Sequence, residues 1–259
     1  MKIAMVPTDP RAGVTVCTWA AAMGLAYKQG RTVRVCYTGD NPALKRYIGR
    51  DSIEQDKTRS ISQVSKLLQA HAIAPDELGN YCLKVGPNLE LLDSYSEALT
   101  PEEVQEIITF VFDRSDSDYT LCDVCDGIGD PLTDSIIGVA DVVCLVADTS
   151  WSALTRARML VEANQKLLGD KEIMIIVNRY DPAIMTRKKA AQIAKSSPRH
   201  TAKLHWNPYI TKGCNIQDLQ SVFISCYESD PRVIELKQDI REITQLMLSY
   251  NSEKIRWED

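Results

Sequence analysis

A short apolar strand, a turn-rich loop and an alanine-rich helix open the chain, and this combination constrains the fold more than any other segment. The strand runs from Ile3 to Val6, and the helical pattern begins at about Val16. Pro10 and Gly13 lie in the loop between them. A strand that leads through such a loop into a helix is the arrangement that a phosphate-binding loop needs.

The loop lacks the charged side chain that this pattern normally carries. The general pattern is glycine, four residues, glycine, lysine, and then serine or threonine. When Gly13 is taken as the second glycine, Thr8 replaces the first. Val14 then stands at the lysine position and Thr15 at the hydroxyl position. Because the lysine normally reaches the β- and γ-phosphates, the sequence predicts a phosphate-loop architecture without its main cation.

Strand-like apolar runs alternate with helical patterns along the whole chain. The strand patterns lie at about 3–7, 32–37, 89–92, 119–124, 141–147 and 172–177, with another near 202–206. The helical patterns lie at about 16–29, 60–71, 101–113, 151–168, 183–196 and 230–249. Runs such as 142–146 are apolar on both faces, which is typical of parallel strands covered by helices on both sides. The order predicts one domain over residues 1–259, with an α/β fold of three αβα layers around a central, mostly parallel twisted sheet.

Local signals support several of these elements. Thr100, Pro101 and Glu103 form a capping box with proline at the first helical position. Asp230 and Pro231 open the last helix in a similar way. Apolar residues recur in that helix at a spacing that predicts a core-facing stripe: Val233, Leu236, Ile240, Ile243 and Leu246. The polar stretch 41–60 is interpreted as a surface excursion or a partner-facing loop.

Composition and charge exclude several classes of protein. Apolar residues make up 44% of the chain, which is enough for a real core, and the net charge of −5 argues against a dominant nucleic-acid surface. We find no signal peptide pattern and no apolar run as long as a membrane span. Most of the eight cysteines lie in apolar patterns, so we expect reduced, buried thiols in a cytoplasmic protein.

The loop and several later segments, in the same order, resemble the MinD/ParA group, which carries a deviant form of this loop. Residues 9–15 lie on the group's Lys-Gly-Gly-x-Gly-Lys-Thr pattern without a gap and match it at Gly13 and Thr15. Further similar segments follow at 119–130, 140–147, 173–181 and 229–240. Within the group the chain looks most like the TadZ/CpaE pilus-assembly branch.

The resemblance implies a site for ATP and Mg²⁺. Thr15 would give its hydroxyl to the metal, Asp123 would be the Walker B carboxylate, and Asn178 would lie near the adenine. Gly13 belongs to the loop, and Arg11 would partly replace the missing cations. Each side chain also has an ordinary structural interpretation: Arg11 as a solvated residue, Thr15 near a helix N-cap, Asp123 as a turn cap and Asn178 at a strand exit.

Other positions depart from the group's pattern. Asp9 replaces the signature lysine that reaches across a dimer to the partner's nucleotide, and Pro10 removes one backbone N–H from the loop. In the second strand, Tyr37 and Gly39 stand where the group usually has aspartates, and Asp40 comes one residue late. These losses predict a site with no catalytic residues.

We therefore expect a non-hydrolysing positioning or assembly factor for a pilus or secretion system, with ATP and Mg²⁺ as its cofactor or with none. It would form a homodimer and bind protein components of that machine, with no nucleic acid and no direct membrane insertion. It would be cytoplasmic, and partners would recruit it to the cell pole or the inner membrane face. An alternative is a weak ATPase in which Arg11, Lys2 or a partner's lysine replaces the lost cations.

Cysteines and tryptophans raise two further questions. Cys122 and Cys125 are three residues apart on a strand, which places them on opposite faces and disfavours a shared metal or a disulfide. Relatives of the group hold an iron–sulfur cluster between subunits with a cysteine near this position, so a metal or cluster carrier that uses Cys125 is a third hypothesis. For Trp151 and Trp206 we expect packing, with the lining of a nucleotide pocket as the alternative.

Overall fold

A sheet of eight strands forms the centre of the structure, a computed structural model that describes residues 1–38, 61–93, 100–226 and 230–256. Numbered in chain order, the strands are β1 (Lys2–Pro7), β2 (Val33–Tyr37), β3 (Leu83–Gly86), β4 (Leu89–Asp93), β5 (Tyr119–Asp123), β6 (Val142–Asp148), β7 (Glu172–Tyr180) and β8 (Thr201–His205). Their order across the sheet is β3-β4-β2-β5-β1-β6-β7-β8. Neighbours pair in parallel, except that β3 is antiparallel to β4.

Helices connect these strands. In chain order they are α1 (Val14–Met23), α2 (Ile61–Gln69), α3 (Pro101–Asp113), α4 (Pro131–Val139), α5 (Trp151–Ala163), α6 (Gln165–Leu168), α7 (Arg187–Ile193), α8 (Pro208–Ile216), α9 (Leu219–Ser225) and α10 (Ile234–Arg256). A π-helical turn, Gly24–Lys28, extends α1. Within the described ranges, none of these helices is both long and apolar enough to cross a membrane.

Strand β1 shows how two layers of helices enclose the sheet. Ile3 and Met5 belong to one apolar cluster, which also contains residues of α1, α9 and α10. Ala4 and Val6 belong to a second cluster, which contains residues of α2, α3, α4, α5 and α7. Because successive side chains of a strand point to opposite faces, β1 is buried on both sides. The predicted three-layer α/β fold is therefore confirmed.

Each predicted strand pattern corresponds to a strand of the sheet, but the patterns do not predict β3, α4, α8 or α9. These elements are short, and two of the helices begin with proline directly after a residue that is typical of turns. Asp130 caps α4 by accepting a hydrogen bond from the N–H of Thr133, and Asn207 caps α8 in the same way through Tyr209. The sequence patterns do not distinguish a side chain that caps a helix from one that forms a turn.

Two predicted helices are shorter than their patterns. The pattern at 151–168 is divided at Asn164, where α5 ends and α6 begins. The pattern at 183–196 becomes helical only at Arg187, after a turn in which the N–H of Ala183 donates to the carboxylate of Asp181. Local hydrogen bonds of this kind compete with the helix for backbone donors.

Both predicted helix starts are confirmed. Thr100 accepts a hydrogen bond from the N–H of Glu103 at 3.3 Å, and the Glu103 carboxylate accepts one from the N–H of Thr100 at 2.9 Å. Asp230 accepts from the N–H of Arg232 at 2.9 Å, in a short 3₁₀ turn before α10. Gly39, Asp40 and the polar stretch 41–60 lie outside the described residues.

The stripe of the last helix packs into the core as predicted, with one exception. Four members of the stripe are buried: Val233, Leu236, Ile240 and Ile243. Leu246 is only partly buried, and Met247 is fully buried beside it. The stripe lies close to the π-helical turn after α1, since a Cβ atom on Gly24 would be 2.1 Å from Thr244 Oγ1. Only glycine allows α10 to approach this closely.

Replacement of Gly24 with alanine should lower the free energy of unfolding by about 1–3 kcal/mol, because the new methyl group would overpack the contact with Thr244. Urea unfolding measures the change. Gly138→Ala is the matched control, because nothing lies within 4 Å of a Cβ there and alanine favours the helix. An equal loss of stability in both variants would contradict the packing explanation.

Candidate functional site

The loop identified in the sequence lies at the carboxyl edge of the sheet, the edge where the carboxyl ends of the parallel strands meet. It leaves β1, which lies between β5 and β6, and it enters α1. The hydroxyl of Thr8 donates to the carbonyl of Val146 at 3.1 Å and so ties the start of the loop to β6. In open α/β sheets, ligands bind outside the carboxyl ends of the strands.

The backbone of the loop turns sharply before the helix. Arg11 and Gly13 both have left-handed φ angles, 67° and 86°. The N–H of Ala12 donates to the carbonyl of Asp9 at 3.1 Å, and Gly13 occupies the N-cap position of α1 with no side-chain cap. The first N–H groups of a helix without such a cap favour an anion. The predicted order of strand, loop and helix is therefore present, and α1 begins without a side-chain cap.

Asn178 holds this loop in place. Its Nδ2 atom donates to the carbonyl of Ala12 at 2.8 Å, and its side chain is 5% exposed. A Cβ atom on Gly13 would be 2.2 Å from the same Nδ2 atom, so the contact needs glycine. The sequence contains no signal for this role, because the two residues are far apart in the chain. A contact between Asn178 and adenine stays a prediction.

Thr15 and Asp123 come together below the loop. Asp123 ends β5 and pairs in register with Met5 of β1. Its side chain is 1% exposed and is hydrogen-bonded by the side chain of Thr15, in the first turn of α1. Burial raises the pKa of the Asp123 carboxyl to about 7, and the Thr15 hydrogen bond partly offsets this rise. Its Oδ2 atom has no hydrogen-bond partner among the described residues.

The interpretation of Asp123 as a turn cap is therefore wrong. The turn that follows β5 is closed by other carboxylates: the N–H of Gly129 donates to Asp134 at 2.9 Å, and Asp130 caps α4. Asp123 instead faces the loop, where its uncompensated oxygen and the Thr15 hydroxyl are the kind of oxygen donors that Mg²⁺ prefers. These two residues fit the metal part of the implied site.

The position of the missing lysine is filled by a buried apolar side chain. Val14 is 7% exposed and belongs to the apolar cluster on the α1 side of the sheet. Ala12 belongs to the same cluster and is 3% exposed. At the lysine position, an apolar side chain that packs into the core therefore stands in place of a charged one. The phosphate part of the implied site keeps the first N–H groups of α1 but receives no cation from residue 14.

Asp9, at the position of the signature lysine, is paired with a cation from a different element. Arg156 of α5 forms an ion pair with its carboxylate. The sequence gives no sign of this pair, because one arginine on an exposed helix face does not indicate its partner. A guanidinium nevertheless lies beside the loop.

The alternative cations differ in where they lie. Lys2 pairs with Asp113 at 2.8 Å and stands at the amino end of β1. A strand rises about 3.3 Å per residue, so its Cα lies roughly 20 Å from the loop. The hypothesis that Lys2 replaces a phosphate cation is therefore wrong. Arg11 is exposed within the loop itself, and its role at a phosphate stays a prediction.

A small cavity of about 230 Å³ opens beside the loop. Its walls include Gly13, Asn178, His205 and Trp206. The His205 ring is held by a 2.7 Å hydrogen bond between its Nδ1 atom and the buried carboxylate of Asp239 on α10. The cavity thus lies between the loop, the ends of β7 and β8, and α8.

Both tryptophans of interest are exposed, so the expectation that they pack in the core is wrong. Trp151 and Trp206 are each 60% exposed at the carboxyl edge. Trp206 lines the cavity, whereas Trp151 begins α5 and contacts the Lys189 ammonium at 5.4 Å from its ring centre. Large aromatic side chains at this exposure are typical of contact surfaces rather than cores.

The cysteines are only partly as expected. All eight are free thiols, and six of them are buried. Cys125 is exposed and Cys214 is half-buried, which corrects the expectation for those two. Cys122 lies in the core while Cys125 faces outward, so the pair does not share a face. In the part of the chain that the structure describes, no three His, Cys, Asp or Glu side chains are arranged to hold a metal ion.

Comparison with solved structures identifies the class of protein that has this fold. A ParA family ATPase from Chlorobium tepidum is 16% identical, with a TM-score of 0.69 over 94% of this chain and 96% of that chain. MinD from the Aquifex aeolicus MinC:MinD complex is 17% identical, with a TM-score of 0.69 over 95% of each chain. MinD from Pyrococcus horikoshii, complexed with Mg-ADP, is 16% identical, with a TM-score of 0.67 over 93% of each chain.

The chain therefore has the fold of the MinD/ParA ATPases, a branch of the P-loop proteins. At these identities the likeness concerns the fold alone. No family model matches the sequence, and no curated protein does.

Replacement of Asp123 with asparagine should change how stability depends on pH. The folded protein binds the Asp123 proton more tightly than the unfolded chain, where the pKa is about 3.8. The contribution of Asp123 to stability is therefore greatest below pH 4 and is lost as the pH rises to about 7. Relative to Asp123→Asn, the free energy of unfolding of the wild type should fall by about 2 kcal/mol between pH 5 and pH 8.

Urea unfolding at the two pH values gives this difference. Asp170→Asn is the control, since it makes the same substitution at a side chain that is 80% exposed. A constant difference between wild type and Asp123→Asn at both pH values would mean that the buried carboxyl titrates normally.

Proposed function

We propose that this protein is a MinD/ParA-like positioning or assembly factor whose nucleotide site does not hydrolyse ATP. The observation that carries the proposal is Val14, which stands at the position of the phosphate-binding lysine and is buried in the core. Phosphoryl transfer depends on charges that are positioned before the reaction, and losing one such donor typically costs orders of magnitude in rate. Asp9 adds a negative charge where the group has a second lysine.

The site keeps features that suit a bound Mg-nucleotide as a structural ligand. The N-terminus of α1 at Gly13 would face the phosphates, and Thr15 with Asp123 would hold Mg²⁺. Asn178 lies between the loop and the cavity, and Arg11 is exposed within the loop itself. When bound, the Mg²⁺ ion would neutralise phosphate charge and lower the pKa of Asp123. This part of the proposal is supported by the neighbour from Pyrococcus horikoshii, which is complexed with Mg-ADP.

We propose further that the protein forms a homodimer through the apolar edge patch, which we define as Trp151, Ile184 and Trp206. These side chains are 60%, 67% and 60% exposed and follow β6, β7 and β8 at the carboxyl edge. Exposed apolar residues grouped at one edge favour association.

The charges around the apolar edge patch favour a second copy of the same chain as its binding partner. Asp126 and Asp130 follow β5 on one side of the loop, and Arg179 lies next to the last residue of β7 on the other. A two-fold axis near the loop would bring the acidic side of one subunit against the basic side of its partner.

The partners would be protein components of a pilus or secretion system, as in the TadZ/CpaE branch that the sequence resembles. In this proposal the protein works in the cytoplasm, and those partners recruit it to the cell pole or the inner membrane face. The neighbour from Aquifex aeolicus, which was solved as a MinC:MinD complex, supports a surface that binds other proteins.

Steady-state ATP hydrolysis tests the first part of the proposal. The purified wild type should release phosphate no faster than the Asp123→Ala variant, because neither has the loop lysine that would contact the transferring phosphoryl group. Coupled phosphate release, at saturating ATP and Mg²⁺, measures both rates. A wild-type rate comparable with that of active MinD or ParA proteins, and lost in Asp123→Ala, would establish the alternative of a genuine ATPase.

Sedimentation equilibrium tests the dimer. Trp151→Ala combined with Trp206→Ala should weaken self-association by at least about tenfold, because aromatic anchors carry much of the energy of an interface. Met159→Ala is the matched control, since Met159 is 56% exposed on α5 but lies two turns further from the edge. Equal dissociation constants for the wild type and the double variant would exclude the apolar edge patch as the interface.

A further inference from the structure

The ion pair between Asp9 and Arg156 joins the loop to a rigid element. Asp9 lies two residues after β1, and Arg156 lies in the second turn of α5. The contact uses Nη1 of the guanidinium and Oδ1 of the carboxylate, and the two side chains are 50% and 25% exposed, respectively. A guanidinium carries five N–H donors in a planar fork, so one contact leaves others directed elsewhere.

The start of α1 favours an anion, but the two loop positions at which the MinD/ParA pattern has lysines supply no cation here. The N-terminus of α1 has no side-chain cap, and Val14 is buried where the lysine would be. Directly below, the buried Oδ2 atom of Asp123 has no hydrogen-bond partner among the described residues. The charge that a phosphate would need must therefore come from outside these positions.

Arg156 is well suited to supply that charge. It stands on the helix that follows β6, and β6 accepts a hydrogen bond from Thr8 of the loop. Arginine is the preferred partner of phosphate oxygens because its fork can donate two parallel hydrogen bonds. In the structure this charge is neutralised by Asp9, which an incoming phosphate would have to replace.

We propose that Arg156 is the phosphate-binding cation of this site and that Asp9 is an internal competitor that occupies it until a polyphosphate binds. The inference rests on the proposed nucleotide site, and it adds a way in which phosphate binding at that site is regulated. Asp9 belongs to a loop, whereas Arg156 belongs to a helix, so the carboxylate is the group that turns away. The ligand is a di- or triphosphate, either as part of a nucleotide or as free polyphosphate.

Calorimetric titration of four proteins tests this competition: the wild type, Asp9→Asn, Arg156→Gln and the double variant. ATP with Mg²⁺ and inorganic pyrophosphate are the two probes. Asp113→Asn and Arg199→Gln are matched controls, because they make the same charge changes at the amino side of the sheet. Thermal unfolding verifies that each variant is folded.

Asp9→Asn should raise the affinity for both probes by about tenfold, and Arg156→Gln should lower it by a similar factor, which is typical of coupling between sites. In the Arg156→Gln background, Asp9→Asn should change the affinity by less than about twofold. Tighter binding of ATP than of pyrophosphate in every variant would identify the ligand as a nucleotide. Equal binding of the two probes would identify it as free polyphosphate.

Three outcomes would overturn the inference. If Asp9→Asn raised the affinity equally in the wild-type and Arg156→Gln backgrounds, Asp9 would repel phosphate directly. Unchanged affinity in Arg156→Gln would show that another group binds the phosphate. Absence of binding by every folded variant would also reject it. None of these outcomes affects the proposal of a non-hydrolysing factor, which fails only if the wild type turns over ATP through Asp123.

Discussion

The burial of β1 is the constraint on which the rest of the structure depends. The strand pairs with β5 on one edge and β6 on the other, and helices cover both of its faces. A strand held in this way fixes the starting point and direction of the loop that follows it. The neighbouring strands then determine what surrounds the loop, since Asp123 ends β5 in register with Met5 and Val146 of β6 accepts the Thr8 hydroxyl.

Where the loop enters α1, packing and a neutral hydrogen bond stabilise the backbone, and no lysine is present. Val14 contributes apolar burial but no electrostatic attraction, and the amide of Asn178 holds the Ala12 carbonyl. Asp123 remains buried with only a hydroxyl to compensate it, which is why its pKa rises. A cation in the usual place would favour the ionised carboxylate. Burial therefore raises this pKa, and no lysine at position 14 opposes the rise.

Much of the fold could be predicted because its strands are apolar on both faces, a pattern that few other structures produce. The short helices α4 and α8 could not, since Asp130 and Asn207 serve equally well in turns and as helix caps. Predictions about the site were wrong for side chains whose environment depends on elements that are distant in the sequence. Lys2 carries the right charge but stands at the wrong end of β1, and Trp206 is aromatic yet exposed.

The sequence by itself determined the order of elements, the position of the loop on β1, and the loss of both lysines, because these depend on local pattern and residue identity. The resemblance of its segments to the MinD/ParA group also implied that Thr15 and Asp123 belong to the same site. Only the tertiary structure decided that Asp9 meets Arg156 and that Asn178 holds the loop. Those contacts join segments separated by more than a hundred residues, and only the packing of the sheet and its helices brings such segments together.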